Sequence, residues 1–198
     1  MTTKVCVLLS GSGTLCQALL DAIADGEVDA EVVAVVSDQA DAYGLERARQ
    51  RGIPAVAHPL PRGGDRARWD EELTEIVAGF EPDLVASAGF MKLVGASFLA
   101  RFGGRTINTH PALLPSFPGM HGPRDALRAG VKVSGATVFV VDAGVDTGKI
   151  LLQGAVDVRD DDDVESLHER IKVVERGLLI QAVSEWGRPG LDWKKENP

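Results

Sequence analysis

Two polar residues near the middle of the chain, Asn108 and His110, have the types and the spacing to stabilise a negatively charged oxygen. They lie two positions apart, so on an extended backbone their side chains point to the same face. An amide supplies a fixed hydrogen bond, and an imidazole supplies a donor that can also release a proton. Asp146, in the turn sequence VDTG, could hold the imidazole in place and favour its charged form. These residues predict an oxyanion-stabilising site; the alternative is that Asn108 and His110 only tie down the proline-rich segment 111–123.

A glycine loop, SGSGT at residues 10–14, joins the first predicted strand to the first predicted helix. Converging backbone N–H groups and a helix N-terminus favour an anion, so the loop is compatible with a bound phosphate. A dinucleotide site is an alternative, because Asp38 stands just past the second strand, where such sites have a ribose-binding acid. Cys16 replaces the third glycine of that motif. A plain turn without a ligand is a third interpretation of the loop taken alone.

Other kinds of catalytic site have weaker support. His58, His121 and His168 have no cysteine or acidic partner at metal-ligand spacing, so we expect no metal. The Gly-x-Ser-x-Gly motif typical of serine hydrolases does not occur in the sequence. We expect His168 to be a surface residue, because it lies outside the apolar stripe of the last predicted helix.

The composition predicts a globular protein that acts on small molecules. Of the 198 residues, 44% are hydrophobic and 25% are charged, which excludes a disordered chain. The 29 acidic and 21 basic side chains give a net charge of −8, which argues against a nucleic-acid partner. No apolar run approaches the length of a membrane helix and residues 1–9 lack a signal-peptide pattern, so we expect a cytoplasmic protein with no membrane partner. Cys6 and Cys16 are predicted to be buried, reduced thiols.

Short apolar runs alternate with amphipathic stretches, the pattern of an α/β fold. We therefore predict a single-domain, Rossmann-like, mostly parallel sheet with helices on both faces. The predicted strands span residues 4–9, 31–37, 83–88, 105–109, 136–141 and 150–158. The predicted helices span about 15–25, 43–51, 66–80 and 164–186. Segment 111–123 is predicted to be irregular because of its prolines, and the polar tail 187–198 to be peripheral.

Five segments together resemble a known family. They are SGSGT at 10–14, SDQADAYGLERA at 37–48, AGFMKLV at 88–94, INTHPALLPSFPGMH at 107–121 and VDTGKILLQ at 145–153. In this order they resemble the phosphoribosylglycinamide formyltransferases, also called glycinamide ribonucleotide transformylases, a family of folate-dependent formyltransferases. The resemblance covers residues 4–186 and implies one formyltransferase domain over 1–198.

The resemblance implies transfer of the formyl group of 10-formyltetrahydrofolate, a cosubstrate, to the amine of phosphoribosylglycinamide in purine biosynthesis. It implies neither a metal nor a covalent enzyme intermediate. By the match, Asn108 and protonated His110 stabilise the oxyanion that forms when the amine attacks the formyl carbon. Asp146 raises the basicity of His110 and assists proton movement through water. We expect these small molecules to be the partners, and the protein to be a monomer or a homodimer.

The resemblance also assigns binding residues. Those for phosphoribosylglycinamide are Gly13, Thr14, Leu15 and Glu175. Those for the formyl folate are Arg66, Met91, Lys92, Leu93, Val94, Asn108, Val141, Asp142 and Asp146. From the residues alone, Arg66 is an ordinary surface charge and Glu175 a solvated acid. The sequence departs from the commonest family pattern at Lys92, where arginine is frequent, and at Gly122-Pro123, which replaces a more polar pair.

Two other groups of functions are compatible with the sequence. A hydrolase would pass the formyl group to water, and related transferases act on methionyl-tRNA or a nucleotide sugar; those relatives usually carry an added domain. A nicotinamide-dependent oxidoreductase or a nucleotide sensor would use the glycine loop and Asp38, but it leaves Asn108, His110 and Asp146 without a joint role.

Overall fold

The structure, a computed structural model, describes residues 2–186; residue 1 and the predicted peripheral tail 187–198 lie outside the described residues. Within 2–186 a seven-stranded sheet has the strand order β3-β2-β1-β4-β5-β6-β7. Its strands are β1 Thr3–Leu9, β2 Ala30–Ser37, β3 Ala55–Ala57, β4 Leu84–Ser87, β5 Thr106–His110, β6 Val133–Val140 and β7 Ile150–Asp157. The pairs from β3 to β5 are parallel, whereas β5–β6 and β6–β7 are antiparallel. The predicted mostly parallel sheet is confirmed.

Helices cover both faces of this sheet. They are α1 Thr14–Ala24, α2 Tyr43–Gln50, α3 Arg66–Ala78, α4 Ala96–Phe102, α5 Gly122–Ala129 and α6 Val164–Glu185. Alternate residues of the central strand β1 point to opposite sides, which gives each face an apolar surface to bury. Val5, Val7 and Leu9 pack in one core with α1, α2 and α6. Cys6 and Leu8 pack in a second core with α3 and α4.

The strand order creates a crevice at one edge of the sheet. From β1 the chain proceeds to β2 and β3 on one side, and β4 then pairs with the other side of β1 before β5 extends the sheet further. Successive connections therefore leave β1 and β4 in opposite directions. A gap between the loops opens at such a switch point, outside the carboxyl ends of the strands.

Three elements are missing from the sequence prediction. β3 has three residues and α4 has seven, too few for a periodic pattern to identify. α5 begins at Gly122 with Pro123 in its first turn, where proline is tolerated because its missing N–H is not needed. The prediction that 111–123 is irregular is therefore wrong for its last two residues.

The two cysteines are buried free thiols, as predicted. Burial raises the pKa of both Cys6 and Cys16 to about 12, which keeps them protonated at neutral pH. Across residues 2–186, no helix combines the length and the apolar character needed to cross a membrane. The same residues hold no cluster of three or more His, Cys, Asp or Glu side chains placed to bind a metal ion.

Candidate active site

A cleft of about 620 Å³ opens at the carboxyl ends of β1, β4 and β5. The loops that follow β1 and β4 line it, together with the last residues of β5 and the turn after β6. It lies at the switch point between β1 and β4, the position where open α/β sheets bind ligands. Its volume is in the range usual for small-molecule sites.

His110, the last residue of β5, lies at the buried centre of the cleft with oxygen atoms facing both of its ring nitrogens. Nε2 is 2.8 Å from the Phe117 carbonyl oxygen, which can only accept, so Nε2 carries the hydrogen of that bond. Nδ1 is 3.4 Å from Oδ2 of Asp146. Nε2 therefore donates within the protein, and Nδ1 faces the Asp146 carboxylate.

Asp146 is held in place from a second side. Its Oδ2 also accepts a hydrogen bond from the Gly119 N–H at 2.7 Å, and its side chain is 11% exposed. Its backbone φ is 55°, in the left-handed region that aspartate tolerates better than most residues. Asp146 therefore joins the turn after β6 to both His110 and the segment that carries Gly119.

Asn108 lies on β5 two residues before His110, and both side chains line the cleft. Its backbone is fixed by pairing with Ser87 on β4 and Phe139 on β6. Among residues 2–186 no side chain or carbonyl accepts a hydrogen bond from the Asn108 amide. A fixed amide with free donors beside an imidazole can stabilise an oxygen that gains negative charge.

The glycine loop takes its shape from close contact with α2. Gly13, which precedes α1, has φ 69°, and a Cβ built there would lie 2.6 Å from Gly44 Cα. Gly44 N–H donates to Gly11 C=O at 3.0 Å, and Arg47 Nε donates to Ser12 C=O at 2.8 Å. No side chain caps α1, so its first N–H groups are left for another acceptor. Gly13, Thr14 and Leu15 line the cleft.

Asp38 follows β2 and has a fully buried side chain, with 0% exposure. Its Oδ1 accepts from Ser10 Oγ at 2.5 Å, and its Oδ2 accepts from Gln39 Nε2 at 2.9 Å. Lys92 Nζ lies 3.6 Å from the same Oδ2. Both carboxylate oxygens are thus engaged within the protein. This argues against the dinucleotide alternative, in which Asp38 would bind a ribose.

The segment after β4 forms one wall of the cleft, through Met91, Lys92, Leu93 and Val94. Met91 and Leu93 are 61% and 55% exposed and give that wall an apolar surface. Arg66, at the start of α3, donates to the Leu93 carbonyl. Its guanidinium also lies over the Trp69 ring, 4.9 Å from the centroid. The Arg66 contacts fix the outer side of this wall.

α6 closes the other end of the cleft with three polar side chains, His168, Lys172 and Glu175. Glu175 is only 4% exposed, so the interpretation of it as a solvated acid is wrong. Burial raises the pKa of Glu175 to about 7, and the positive charges of Lys172 and Arg176 act in the opposite direction. His168 is half-buried, and burial lowers its pKa. The prediction of a plain surface residue there is also wrong.

Comparison with known proteins agrees with this geometry. Residues 3–183 match the family described as formyl transferase. The chain belongs to the formyl transferase family. It is 53% identical over 188 residues to phosphoribosylglycinamide formyltransferase of Mycobacterium tuberculosis (strain ATCC 25618 / H37Rv), a match that covers 95% of this chain and 86% of that one. It is 36% identical over 181 residues to the Escherichia coli (strain K12) enzyme of the same name, with 91% and 85% covered.

A solved structure supports the same assignment. Glycinamide ribonucleotide transformylase 1 from Symbiobacterium toebii superposes with a TM-score of 0.88 at 45% identity and covers 92% of this chain and 86% of that one. The predicted resemblance and the prediction of a formyl-transferring enzyme are therefore confirmed. So is the predicted formyltransferase fold.

In this formyl transferase the residues predicted for the site lie around one cleft, with one exception. Val141 and Asp142 line it next to Asp146, and Glu175 closes one end. Arg66 does not line the cleft and reaches it only through Leu93. Sequence reasoning missed Ser10 and Lys172 as lining residues. Ser10 could have been found from its place directly after β1, but Lys172 looks like any charge on the polar face of a helix.

Proposed function

We propose that this formyl transferase moves the formyl group of 10-formyltetrahydrofolate to the amine of 5-phosphoribosylglycinamide, in de novo purine biosynthesis. The observation that carries the proposal is the placement of Asn108, His110 and Asp146 in one cleft with an uncapped helix N-terminus. The 53% identity to a phosphoribosylglycinamide formyltransferase supports the choice of acceptor. We expect one formyltransferase domain over 1–198, acting in the cytoplasm on small molecules, as a monomer or a homodimer.

The chemistry needs stabilisation of one oxygen. The amine attacks the formyl carbon, a C–N bond forms, and the carbonyl electron pair moves onto oxygen. The Asn108 amide and a His110 N–H donate to that oxyanion. As the intermediate collapses, the bond from the carbon to the folate nitrogen breaks, and the proton lost by the amine is delivered to that nitrogen. Asp146, beside Nδ1 of His110, accepts a proton from water on this path.

His110 must release one existing partner to act. Nε2 donates to the neutral Phe117 carbonyl at 2.8 Å, whereas Nδ1 lies 3.4 Å from the Asp146 carboxylate. We infer that the Nε2–H exchanges the Phe117 carbonyl for the oxyanion while Nδ1 stays beside Asp146. The developing negative charge makes the oxyanion a better acceptor than the carbonyl that it replaces.

The acceptor substrate binds at the α1 end of the cleft. The free N–H groups at residues 13–15 and the helix dipole favour a phosphate dianion. Glu175, at the facing end of α6, accepts from a ribose hydroxyl. The phosphate binds at a distance from the reacting atoms. The binding energy released there holds the amine next to the formyl carbon.

The folate lies along the apolar wall. Met91 and Leu93 present exposed apolar surface suited to a flat ring system, and Val141 and Asp142 line the same cleft. Arg66 supplies a positive charge just outside the wall, next to Leu93, for the acidic tail of the folate.

A direct assay tests the proposal. Purified protein is mixed with phosphoribosylglycinamide and a 10-formyl folate, and the deformylated folate is followed by absorbance. We expect turnover that depends on both compounds. The assignment is contradicted if the protein formylates a different acceptor but does not formylate phosphoribosylglycinamide.

Variants of the central residues test the mechanism. We expect Asn108→Ala and His110→Ala each to lower kcat by at least about a hundredfold, the usual effect of deleting one oxyanion donor. Asp146→Asn keeps an oxygen for the Gly119 N–H but removes the charge beside His110. It should still bind tetrahydrofolate but turn over slowly. Near wild-type kcat in any of the three, with an unchanged melting temperature, refutes the assigned roles.

A further inference from the structure

A buried carboxylate outside the reaction centre holds one wall of the cleft in place. Asp38 lies after β2, and its fully buried side chain is held by Ser10, Gln39 and Lys92. Burial of an ionised carboxylate is costly unless it is paired and hydrogen-bonded, so this arrangement requires all of its partners. Of these partners, Ser10 and Lys92 line the cleft.

Ser10 transmits this constraint to the wall formed by residues 91–94. Its hydroxyl accepts from the Met91 N–H at 2.7 Å, so its own hydrogen is left to donate to Asp38. Its backbone N–H donates to the Gly89 carbonyl at 3.0 Å. These contacts cross the gap between the ends of β1 and β4. Asp38 fixes the hydroxyl of Ser10, and Ser10 in turn fixes the backbone at Met91.

Asp38 also holds Lys92 directly, in addition to its route through Ser10. Its side chain is 33% exposed and lines the cleft, with the ammonium 3.6 Å from Asp38 Oδ2. A lysine on a flexible stem has several accessible positions, and one buried acceptor selects among them. Met91 and Lys92 are thus both oriented by the same carboxylate.

The glycine loop has other supports that do not involve Asp38. Gly44 N–H holds the Gly11 carbonyl, and Arg47 holds the Ser12 carbonyl. Loss of the Asp38 carboxylate therefore leaves the phosphate end of the loop anchored by α2. The same loss frees Met91 and Lys92, the first two residues of the wall formed by residues 91–94.

We propose that Asp38 is a positioning residue that sets the folate wall through Ser10 and Lys92, and that it controls folate affinity rather than ribonucleotide affinity. This inference rests on the proposed function, because it takes residues 91–94 as the folate side of the cleft. Asp38 itself does not line the cleft.

The test separates the two routes with variants of Asp38, Ser10 and Lys92 and a control. Asp38→Asn keeps an oxygen for Ser10 but removes the charge that holds Lys92. Ser10→Ala removes the route to Met91, and Asp38→Ala removes both. Asp41→Asn, an exposed acid three residues further on, controls for the loss of charge in the same segment.

We expect Asp38→Ala to raise KM for the formyl folate about tenfold, which corresponds to about 1.4 kcal/mol. KM for the ribonucleotide should change less than twofold, and Asp41→Asn should match the wild type. Adding Lys92→Met to Asp38→Asn should cause no loss beyond that of Lys92→Met alone, because the two act through one contact. An equal rise in both KM values, or additive losses in the double variant, overturns the proposal.

A second measurement does not depend on the substrate. Amide hydrogen exchange over residues 89–93 should be faster in Asp38→Ala and in Ser10→Ala, and unchanged in Asp38→Asn and Asp41→Asn, because only the first two lose support for the Met91 N–H. Unchanged exchange in Asp38→Ala overturns the proposal. If the wild type does not formylate the ribonucleotide, the proposed function is wrong, and the exchange data still decide the role of Asp38.

Discussion

Replacement of Glu175 by glutamine should raise the free energy of unfolding above that of the wild type. The gain should be larger at alkaline pH than at acidic pH. Glu175 is 4% exposed, and burial raises its pKa from 4.5 to about 7. Between these two pH values the folded protein holds a proton that the unfolded chain has lost. The free energy of unfolding therefore falls as pH rises through this window, and the full penalty persists above pH 7. Glutamine is nearly isosteric with the protonated acid and does not titrate.

The size of the effect follows from the shift. A difference of about 2.5 pKa units at about 1.36 kcal/mol each amounts to about 3 kcal/mol at pH 8. At pH 5 the Glu175 carboxyl of the folded wild type is mostly protonated. The same relation then gives a destabilisation of about 1 kcal/mol. The variant should therefore exceed the wild type in stability at both pH values, with a threefold larger margin at pH 8.

Urea unfolding of both proteins at pH 5 and pH 8 measures these margins. Glu165→Gln, an exposed acid on the same helix, controls for the loss of one negative charge. The glutamine variant should also bind the ribonucleotide more weakly, since we propose that the carboxylate of Glu175 accepts from the ribose. A margin that is the same at both pH values, or a wild type that is the more stable at pH 8, refutes the reasoning.

Two further predictions concern groups that shape the walls of the cleft. Gly13→Ala should cost at least about 2 kcal/mol, because an L residue is strained at φ 69° and its Cβ meets the Gly44 backbone at 2.6 Å. Gly11→Ala, with nothing within 4 Å of its Cβ, should melt like the wild type, and equal melting temperatures for both alanine variants would count against this contact. Asp70→Ala should cost about 2 kcal/mol in urea unfolding, because two N–H groups at the start of α4 lose their acceptor. An unchanged unfolding midpoint would show that those groups find other partners.

Most of the sheet was predictable because its signals are local. Apolar runs such as residues 4–9 and 31–37 became β1 and β2, and glycine or proline marked where the helices end. The pair Asn108 and His110 was predictable for the same reason, since spacing on one strand decides which side chains share a face. A strand of three residues such as β3 gives no periodic signal.

The residues that the sequence did not reveal depend on contacts between distant elements. Helical periodicity shows which face of α6 is apolar, but not that its polar face meets a cleft, so His168 and Glu175 looked solvated. Asp38 stands where a ribose-binding acid is expected, and only the approach of Ser10 and Lys92 shows that its oxygens are occupied. The start of α4 is capped by Asp70 of α3, more than twenty residues away along the chain.

In the proposed reaction, binding energy at the glycine loop directs the formyl group to an amine instead of water. Gly13, Thr14 and Leu15 line the cleft at the uncapped start of α1, where a phosphate would hold the acceptor in place. Water has no such anchor, and positioning of this kind is worth several kcal/mol of the barrier.

The rate at which deformylated folate is released tests this role of the glycine loop. It is measured with phosphoribosylglycinamide, with the dephosphorylated riboside, and with buffer alone. We expect the ribonucleotide to react fastest, the riboside at least about a hundredfold more slowly, and water most slowly, because each step removes part of the positioning energy. Equal rates in all three solutions would contradict the claim and indicate a hydrolase that releases the formyl group to water.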